Sequence, residues 1–325
     1  MYKGKKTKLM KKVFINNLLI TLTFFLLLEI LIRGAGLVQL KGHGKELIEK
    51  KNNIETTVFG KKVYLDKYGY RVPYKDFLYK NNKIIFLGDS VLFGSGVIEE
   101  KTVVGRLREF NKKNSYINAS IIGNDITENL KDIKKNYLLF NNNTFYIFFT
   151  LDDILSRSIE NPKSNKINKK VNFFNNLKQN YILKKINNFL RTKSYTYLWI
   201  KGLTTNPSER YFFESYNNYQ DDAKINFFST QIDKINNLKS LNNLNLKIII
   251  LPFEFQTRNG CNSNLLLPQN KLVKIFKNKN IQYINLTDNF CSHPKPKELF
   301  LKFDPVHLSE AGHEFVFNLI KNKIN

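Results

Sequence analysis

Residues 83–90 read Lys-Ile-Ile-Phe-Leu-Gly-Asp-Ser, and the fold expected for the 325-residue chain follows from this stretch. A short apolar run that ends in a glycine is typical of a buried strand in a parallel sheet. A serine that directly follows such a strand, at the start of a helix, is exposed at the edge of the sheet, and its amide can donate a hydrogen bond. Gly88 allows the backbone to turn tightly there. Ser90 is therefore a candidate nucleophile, although Gly-Asp-Ser also occurs in ordinary turns.

Four further strands are predicted downstream by short runs of the same kind. They lie at residues 116–121, 144–150, 246–253 and 281–286. Apolar residues at helical spacing separate the first three strands, and Ser309 is the expected N-cap of a last helix. Short strands that alternate with amphipathic helices predict an α/β domain in which a parallel sheet is covered on both faces. Ligands of such domains bind beyond the carboxyl ends of the strands, where Ser90 is expected.

The candidate partners of Ser90 come from the other end of the chain. Asp304 and His307 precede the last predicted helix, and the chain has 4 histidines. An aspartate three residues before a histidine can turn back and accept the Nδ1 proton, which leaves Nε2 to take the proton of the serine. The alternative is that Asp304 caps a turn beside a solvated histidine. His313, further into the helix, is expected to be structural.

Together these segments resemble the SGNH/GDSL hydrolase family. Residues 88–90 match the family's Gly-Asp-Ser block, and residues 304–307 match its final Asp-x-x-His block within the sequence DPVHLSEAGH. Gly123, after the second strand, corresponds to the second-block glycine whose amide serves the oxyanion hole. The sequence YGYR at residues 68–71 also looks like a segment common in anchored or exported relatives. The resemblance runs over most of residues 60–325.

What the resemblance implies is a three-layer α/β/α fold of flavodoxin-like type with a triad of Ser90, His307 and Asp304. The amides of Ser90 and Gly123 would bind the oxyanion. Family members hydrolyse esters or transfer acyl groups, commonly on carbohydrate, lipid or thioester substrates, and they need no metal or other cofactor. The expected activity is therefore that of a serine esterase, with O-acyl transfer as the alternative.

One block departs from the family pattern. The third block normally contains an asparagine whose side chain donates to the oxyanion, and Asp152 stands at that position here. An ionised carboxylate repels an oxyanion, and the loss of one such donor costs roughly 3–4 kcal/mol. A protonated Asp152, donation by Asn124 or a different register of this block would each restore the oxyanion hole. A catalytically eroded binding module is the remaining alternative.

The amino terminus predicts a membrane anchor. Residues 1–12 contain 6 lysines and no acid, and residues 13–32 are mostly apolar and long enough to cross the ~30 Å core of a bilayer. By the positive-inside rule, the tail stays in the cytoplasm and the chain after Arg33 lies on the periplasmic, extracytoplasmic side of the inner (plasma) membrane. Glu29, near the far end, can reach the interface. A cleaved signal peptide is the alternative.

The remaining segments complete the predicted organisation. Residues 33–82 are a connector, and residues 83–325 form the catalytic domain, with an insertion at about 156–240 that acts as a lid or as packing decoration. Cys261 and Cys291 are the 2 cysteines, and an exported domain favours a disulfide between them. Closing that loop would stabilise the fold by roughly 3–4 kcal/mol in the chain-entropy model. Two unpaired thiols are the alternative.

The formal net charge of +25 raises the question of nucleic-acid binding. Beyond the basic tail the lysines are scattered among asparagines and isoleucines, and no zinc-finger spacing, basic heptad or RNP-like aromatic motif accompanies them. No nucleic-acid partner is therefore expected. The charge favours anionic surfaces or glycans, and the expected substrate is an acylated carbohydrate or lipid of the cell envelope.

Overall fold

The computed structural model describes residues 2–80, 82–155 and 181–324, with side chains described for all of these except residues 2–9, 181 and 184. The chain forms two compact units. The smaller consists of residues 1–41 and 171–205, and the larger of residues 42–170 and 206–325. The insertion predicted at about 156–240 is divided between the two units, and its first part, residues 156–180, lies outside the described residues.

The larger unit is built on an eight-stranded sheet. Its strands are β1 (Ile54–Val58), β2 (Lys61–Leu65), β3 (Arg71–Val72), β4 (Lys83–Leu87), β5 (Ser115–Asn118), β6 (Thr144–Phe149), β7 (Asn245–Ile250) and β8 (Gln282–Asn285). Their order is β1-β2-β3-β5-β4-β6-β7-β8. The five predicted strands are β4 to β8, and they pair in parallel. With helices on both sides of the sheet, the predicted α/β fold class is confirmed.

Helices follow the strands in the order expected for such a domain. The described helices are α1 (Tyr2–Gly34), α2 (Lys45–Ile48), α3 (Ser90–Phe93), α4 (Val103–Phe110), α5 (Ile126–Phe140), α6 (Tyr181–Lys193), α7 (Tyr195–Thr204), α8 (Pro207–Gln220), α9 (Asp222–Leu241), α10 (Glu254–Arg258), α11 (Leu267–Asn278), α12 (Thr287–Cys291) and α13 (Glu310–Ile320). Ser309 caps α13 as predicted, because its Oγ accepts the amide of Gly312 at 3.1 Å.

The segment predicted as a connector, residues 33–82, carries three strands of the sheet. Strands β1 and β2 form an antiparallel hairpin, and β3 joins it to the parallel strands through an antiparallel pair between Arg71 and Asn118. The two turn residues, Phe59 and Gly60, both have positive φ angles, of 49° and 75°. Such turns usually read Asn-Gly or Asp-Gly, so Phe-Gly gives no hairpin signal in the sequence. The sheet is therefore mixed rather than wholly parallel.

The centre of the core is formed by β4, β6 and β7. Every residue of β4 after Lys83 is buried, and so is every residue of β6 after Thr144. Burial on both faces explains why these strands read as continuous apolar runs rather than as alternating ones. Phe86 stacks on Tyr146, with ring centroids 5.4 Å apart. The carboxyl ends of these strands therefore form a rigid edge from which the loops of the site project.

The structure joins Cys261 and Cys291 in a disulfide, with their Cα atoms 5.7 Å apart. Cys261 follows α10, and Cys291 is the last residue of α12. These two short helices pack against each other. The bond therefore links the loops that follow β7 and β8, at the same edge of the sheet as Ser90.

The smaller unit contains α1, α6 and α7. Within α1, the 25-residue segment Met10–Gly34 contains a stretch of 18 residues with a mean hydropathy of 2.1, of which 6% is buried inside the protein. At 1.5 Å per residue this segment is about 37 Å long, enough to cross the ~30 Å core of a bilayer. Its exposed apolar surface is what contact with lipid would require. The predicted orientation of this helix stays a prediction.

Candidate active site

Ser90 is the first residue of α3, directly after β4. Asp89 caps this helix, because its Oδ1 accepts the amide of Val91 at 2.9 Å. Gly88 has a φ of 157°, and a Cβ atom at this position would lie 3.0 Å from the carbonyl oxygen of Phe148. The glycine lets the chain pass close to β6 and turn into the helix. The Ser90 amide belongs to the first turn of α3 and has no partner within that helix.

His307 and Asp304 lie in the loop that precedes α13. Oδ1 of Asp304 accepts the amides of Val306 and His307 at 3.0 and 2.9 Å, and it lies 2.9 Å from Nδ1 of His307. Nε2 of the same imidazole lies 2.9 Å from Oγ of Ser90. The Asp304 side chain is 1% exposed and that of His307 15%. The structure thus brings the three candidate catalytic residues into one hydrogen-bonded line, in the order that general-base activation of a serine needs.

The turn that contains Gly123 lies beside the Ser90 turn. The amide of Ile121 donates to the carbonyl of Gly88 at 3.1 Å. Gly123 has a φ of 91°, a left-handed conformation that a glycine adopts without strain. The predicted oxyanion donors, the amides of Ser90 and Gly123, are therefore carried by neighbouring turns at the carboxyl ends of adjacent strands.

Asp152 lies in the 3-10 turn Leu151–Ile154, directly after β6. Its Oδ1 accepts the hydroxyl of Thr150 at 2.8 Å, and its Oδ2 accepts the hydroxyl of Tyr211 at 2.5 Å. Asn124, the alternative donor, directs its Nδ2 to Oδ2 of Asp132 at 2.6 Å. Asp152 therefore offers no amide donor to an oxyanion, and the amide of Asn124 donates to Asp132 instead. The role predicted for Asp152 in the oxyanion hole stays a prediction.

Asp152 is one of three carboxyl groups that cluster behind the nucleophile. One carboxylate oxygen from each of Asp89, Asp152 and Asp153 lies within 4.8 Å of the others. Asp153 is buried, and that burial, together with the charges of Asp89 and Asp152, raises its pKa well above the ordinary value. Its Oδ2 accepts the amide of Thr150 at 3.0 Å and lies 3.1 Å from the Thr150 hydroxyl, which donates to Asp152. Burial thus disfavours a further negative charge at Asp153. These three carboxyl groups could also ligate a cation, and most of their oxygens already accept hydrogen bonds from the protein.

The hairpin tip places a phenyl ring against the candidate base, which the sequence did not predict. Phe59 is 7% exposed, and its ring centroid lies 5.1 Å from that of His307 in an edge-on arrangement. His43 packs on the other side, 5.7 Å from the Phe59 ring. Burial, followed by the charge of His307, lowers the pKa of His43. A large apolar residue in the first position of a two-residue turn is the signal that could have found this contact.

Arg71, from the YGYR sequence, holds the end of the helix that starts at Ser90. Its Nη1 donates to the carbonyls of Phe93 and Gly94 at 2.6 and 2.8 Å, and its Nη2 donates to that of Val97 at 2.6 Å. The guanidinium is fully buried, and its Nε lies 2.7 Å from Oε2 of Glu99. The last carbonyls of a helix have no partner within it. Arg71 therefore fixes α3 from its carboxyl end, as Asp89 does from its amino end.

A cavity of about 440 Å³ opens beside the turn that contains Gly123. His43, Lys50, Lys51 and Asn52 line it from the hairpin side, and Ile122 and Asn124 line it from either side of Gly123. Ligand pockets of enzymes typically have this size and combine apolar walls with a few polar groups. Ser90 and His307 are not among the lining residues, so the cavity lies beside the turn of Gly123 rather than over the nucleophile.

The chain is similar to known proteins in structure and not in sequence. No family model matches the sequence, and no curated protein matches it at a significant level. Among solved structures, the chain is similar to a member of the lipolytic protein G-D-S-L family from Veillonella parvula, with 13% identity and a TM-score of 0.43 over 74% of this chain and 96% of that one. The structures to which the chain is similar thus include members of the G-D-S-L family.

Two further matches carry hydrolase names. One is a lipase/acylhydrolase from Enterococcus faecalis, with 15% identity and a TM-score of 0.41 over 75% of this chain and 97% of that one. The other is an acetyl xylan esterase, with 15% identity and a TM-score of 0.44 over 75% of this chain and all 100% of that one. Identities of this size say nothing about substrate, so the chemistry is taken from the site of this chain.

Proposed function

We propose that this protein is a serine esterase that cleaves acyl esters through Ser90, His307 and Asp304. The observation that carries the proposal is the line of hydrogen bonds from Asp304 to Nδ1 of His307 and from Nε2 to Oγ of Ser90, each 2.9 Å long. Asp304 is also held by two backbone amides, so the carboxylate cannot rotate away from the imidazole. This geometry fixes the tautomer in which Nε2 is free to accept a proton.

The reaction proceeds by two acyl transfers. Oγ of Ser90 attacks the ester carbonyl while Nε2 of His307 takes the hydroxyl proton, and Asp304 stabilises the imidazolium. The oxyanion is bound by the amides of Ser90 and Gly123. Collapse of the tetrahedral intermediate breaks the ester bond, and His307 returns its proton to the departing alcohol. Water, deprotonated by His307, then attacks the acyl-serine, which releases the acid and restores Ser90.

The proposed substrate is an acylated carbohydrate or lipid of the cell envelope, reached from the outer side of the inner membrane. The apolar segment Met10–Gly34 and the lysines that precede it support anchoring with the larger unit outside the cytoplasm. The disulfide between Cys261 and Cys291 fits an oxidising compartment. Lys50 and Lys51 outnumber Glu128 in the lining of the neighbouring cavity, which suits a substrate that bears negative charge.

O-acyl transfer is the second candidate, and the cover over His307 favours it. Phe59 packs against the imidazole, and the His307 side chain is 15% exposed. Exclusion of water from an acyl-serine favours attack by a bound sugar hydroxyl over hydrolysis. The chemistry up to the acyl-serine is the same in both cases.

A fluorophosphonate probe tests the shared step. The purified full-length protein should be labelled at Ser90, and Ser90→Ala should not be labelled although it unfolds at the same temperature. Labelling that persists in Ser90→Ala, or a wild-type protein that does not react, would contradict the proposal and favour a binding module. With a chromogenic ester as donor, an added oligosaccharide that captures the acyl group would identify the transferase.

A further inference from the structure

The smaller unit contains an amphipathic helix whose apolar stripe is exposed. Ile182, Ile186 and Phe189 recur along α6 at intervals of four and three residues, so they share one face of the helix. Their exposed fractions are 65%, 48% and 62%. In a soluble domain a stripe of this kind is buried against the core. Here the three side chains are exposed to about half or more of their surface.

The partner helix α7 is tied to the end of the apolar segment by Glu29. Oε1 of Glu29 accepts the amide of Tyr195 at 2.9 Å, and Oε2 accepts the amide of Thr196 at 2.8 Å and the hydroxyl of Ser194 at 3.1 Å. A carboxylate at a helix N-terminus satisfies amides that have no partner within the helix, and it interacts favourably with the helix dipole. The single acid of residues 13–32 therefore holds the start of α7 beside the end of α1.

Two further contacts keep the helix pair at this position. The guanidinium of Arg33 lies 4.9 Å from the centre of the Tyr195 ring, a distance at which the two attract each other. The amide of Lys41 donates to the carbonyl of Arg191, in the last turn of α6, at 3.2 Å. Both α6 and α7 are thus attached where the chain leaves the apolar segment.

The side chains of the pair have the composition of an interfacial segment. Tyr195, Tyr197 and Trp199 lie on α7, and tyrosine and tryptophan are the residues that concentrate at the head groups of a bilayer. Arg191 and Lys193 occupy the last turn of α6. Basic residues beside an exposed apolar stripe are typical of helices that lie in the plane of an anionic membrane surface.

We propose that α6 and α7 lie in the membrane–water interface, with the apolar stripe of α6 inserted among the lipids into which α1 is anchored. The partner is a lipid surface, and anionic lipids strengthen the contact through the basic residues. This inference rests on the proposed anchoring by α1 and not on the esterase chemistry. It assigns a function to Glu29, which positions α7 at the bilayer surface.

Trp199 is the only tryptophan of the chain, so the fluorescence of the unmodified full-length protein reports on α7. In vesicles of phosphatidylcholine and phosphatidylglycerol, its emission should be largely lost when the lipids are brominated near the head groups. Iodide in the water should quench it only weakly. Emission that iodide quenches and brominated lipids leave unchanged overturns the proposal.

A probe on α6 tests the stripe itself. Phe189→Trp in a Trp199→Phe background places the fluorophore on the apolar face, and Asn188→Trp in the same background places it on the polar face as a matched control. Brominated lipids should quench the first more than the second, and iodide should do the reverse. Equal quenching at the two positions overturns the proposal.

Protection of position 189 in native membranes but not in pure lipid vesicles also overturns it, because a protein partner would then cover the stripe. Fluorophosphonate labelling of Ser90 in the same vesicles reports the esterase separately. Failure of either proposal is therefore visible without the other.

Discussion

Ser90, His307 and Asp304 have different tasks in the proposed reaction, so their replacement should have different costs. Ser90→Ala and His307→Ala remove the nucleophile and the base, and each should lower kcat by about 10⁶-fold. Asp304→Asn should cost less, about 10⁴-fold, because the amide oxygen still accepts the two backbone amides while the charge that stabilises the imidazolium is lost. Turnover of a chromogenic ester and thermal unfolding should be measured together. Wild-type turnover in Ser90→Ala would contradict the mechanism.

Asp152 is the residue at which the chain departs from the family pattern it otherwise resembles. Asp152→Asn removes one negative charge from the cluster behind Ser90 and supplies an amide donor, so kcat near neutral pH should rise, by up to about 10²-fold if the amide reaches the oxyanion. Asp153→Asn is the matched control, because it makes the same exchange at the neighbouring carboxyl group, whose pKa burial raises. A rate unchanged between pH 5 and 8 in Asp152→Asn would remove Asp152 from the oxyanion hole.

Phe59 combines backbone strain with a contact to the candidate base. A left-handed conformation costs an ordinary residue about 1–2 kcal/mol, and Asn-Gly is the preferred pair in this kind of turn. Phe59→Asn relieves that strain but removes a ring that is buried beside Val63 and Phe93, a loss of about 3–5 kcal/mol. It should therefore lower the unfolding temperature, and it should lower kcat because the imidazole of His307 loses the ring that packs against it. Phe59→Tyr keeps the ring and should keep the activity. Equal activity of the Asn and Tyr variants would show that the ring does not position His307.

Helix α13 packs closely against the backbone at Leu299, and it follows directly on the loop of His307. A Cβ atom at Gly312 would lie 1.9 Å from the carbonyl oxygen of Leu299. Gly312→Ala forces the helix away from that backbone and should destabilise the fold by more than about 2 kcal/mol. It should also lower esterase turnover. Asn318→Ala, at an exposed position of the same helix, should do neither. If denaturant unfolding gave both variants the same free energy of unfolding, the contact would be refuted.

The elements themselves differ in how visible they are in the sequence. Strands β4 to β8 are apparent because burial on both faces leaves continuous apolar runs. The hairpin of β1 and β2 is not, because its turn reads Phe-Gly and its short strands, IETTV and KKVYL, are partly polar and resemble a linker. What makes them strands is their pairing with each other and the contact of β3 with β5. That pairing is a property of the sheet rather than of the segment.

Two buried groups have opposite effects on how the stability of the whole molecule changes with pH. Burial raises the pKa of Asp132 to about 6, from an ordinary value of 3.8, and lowers that of His313 to about 3, from 6.5. Because of Asp132, the free energy of unfolding decreases as the pH rises from 3.8 towards 6. Because of His313, it decreases as the pH falls from 6.5 towards 3. The larger shift belongs to His313, so the net result is a loss of stability in acid.

Two variants should separate these contributions. In His313→Gln the free energy of unfolding should fall less between about pH 6 and pH 4, because the buried imidazole that resists protonation is absent. Asp132→Asn should steepen this fall, because the opposing group is gone. The free energy of unfolding, measured with urea at several pH values, distinguishes them. Parallel curves for the wild type and both variants would show that neither group titrates as its burial implies.

The sequence by itself determined the α/β fold class, the apolar segment at the amino terminus and the identity of the three candidate catalytic residues. Each of these depends on a local pattern, namely a hydrophobic period, an apolar run or a short motif. Such patterns can be recognised without knowledge of the fold. Only the tertiary structure decided that Phe59 packs on His307, that Arg71 holds the helix of Ser90 and that Glu29 caps α7. Those contacts join segments far apart in the chain, and they exist because sheet register and helix packing bring the segments together, which no local pattern records.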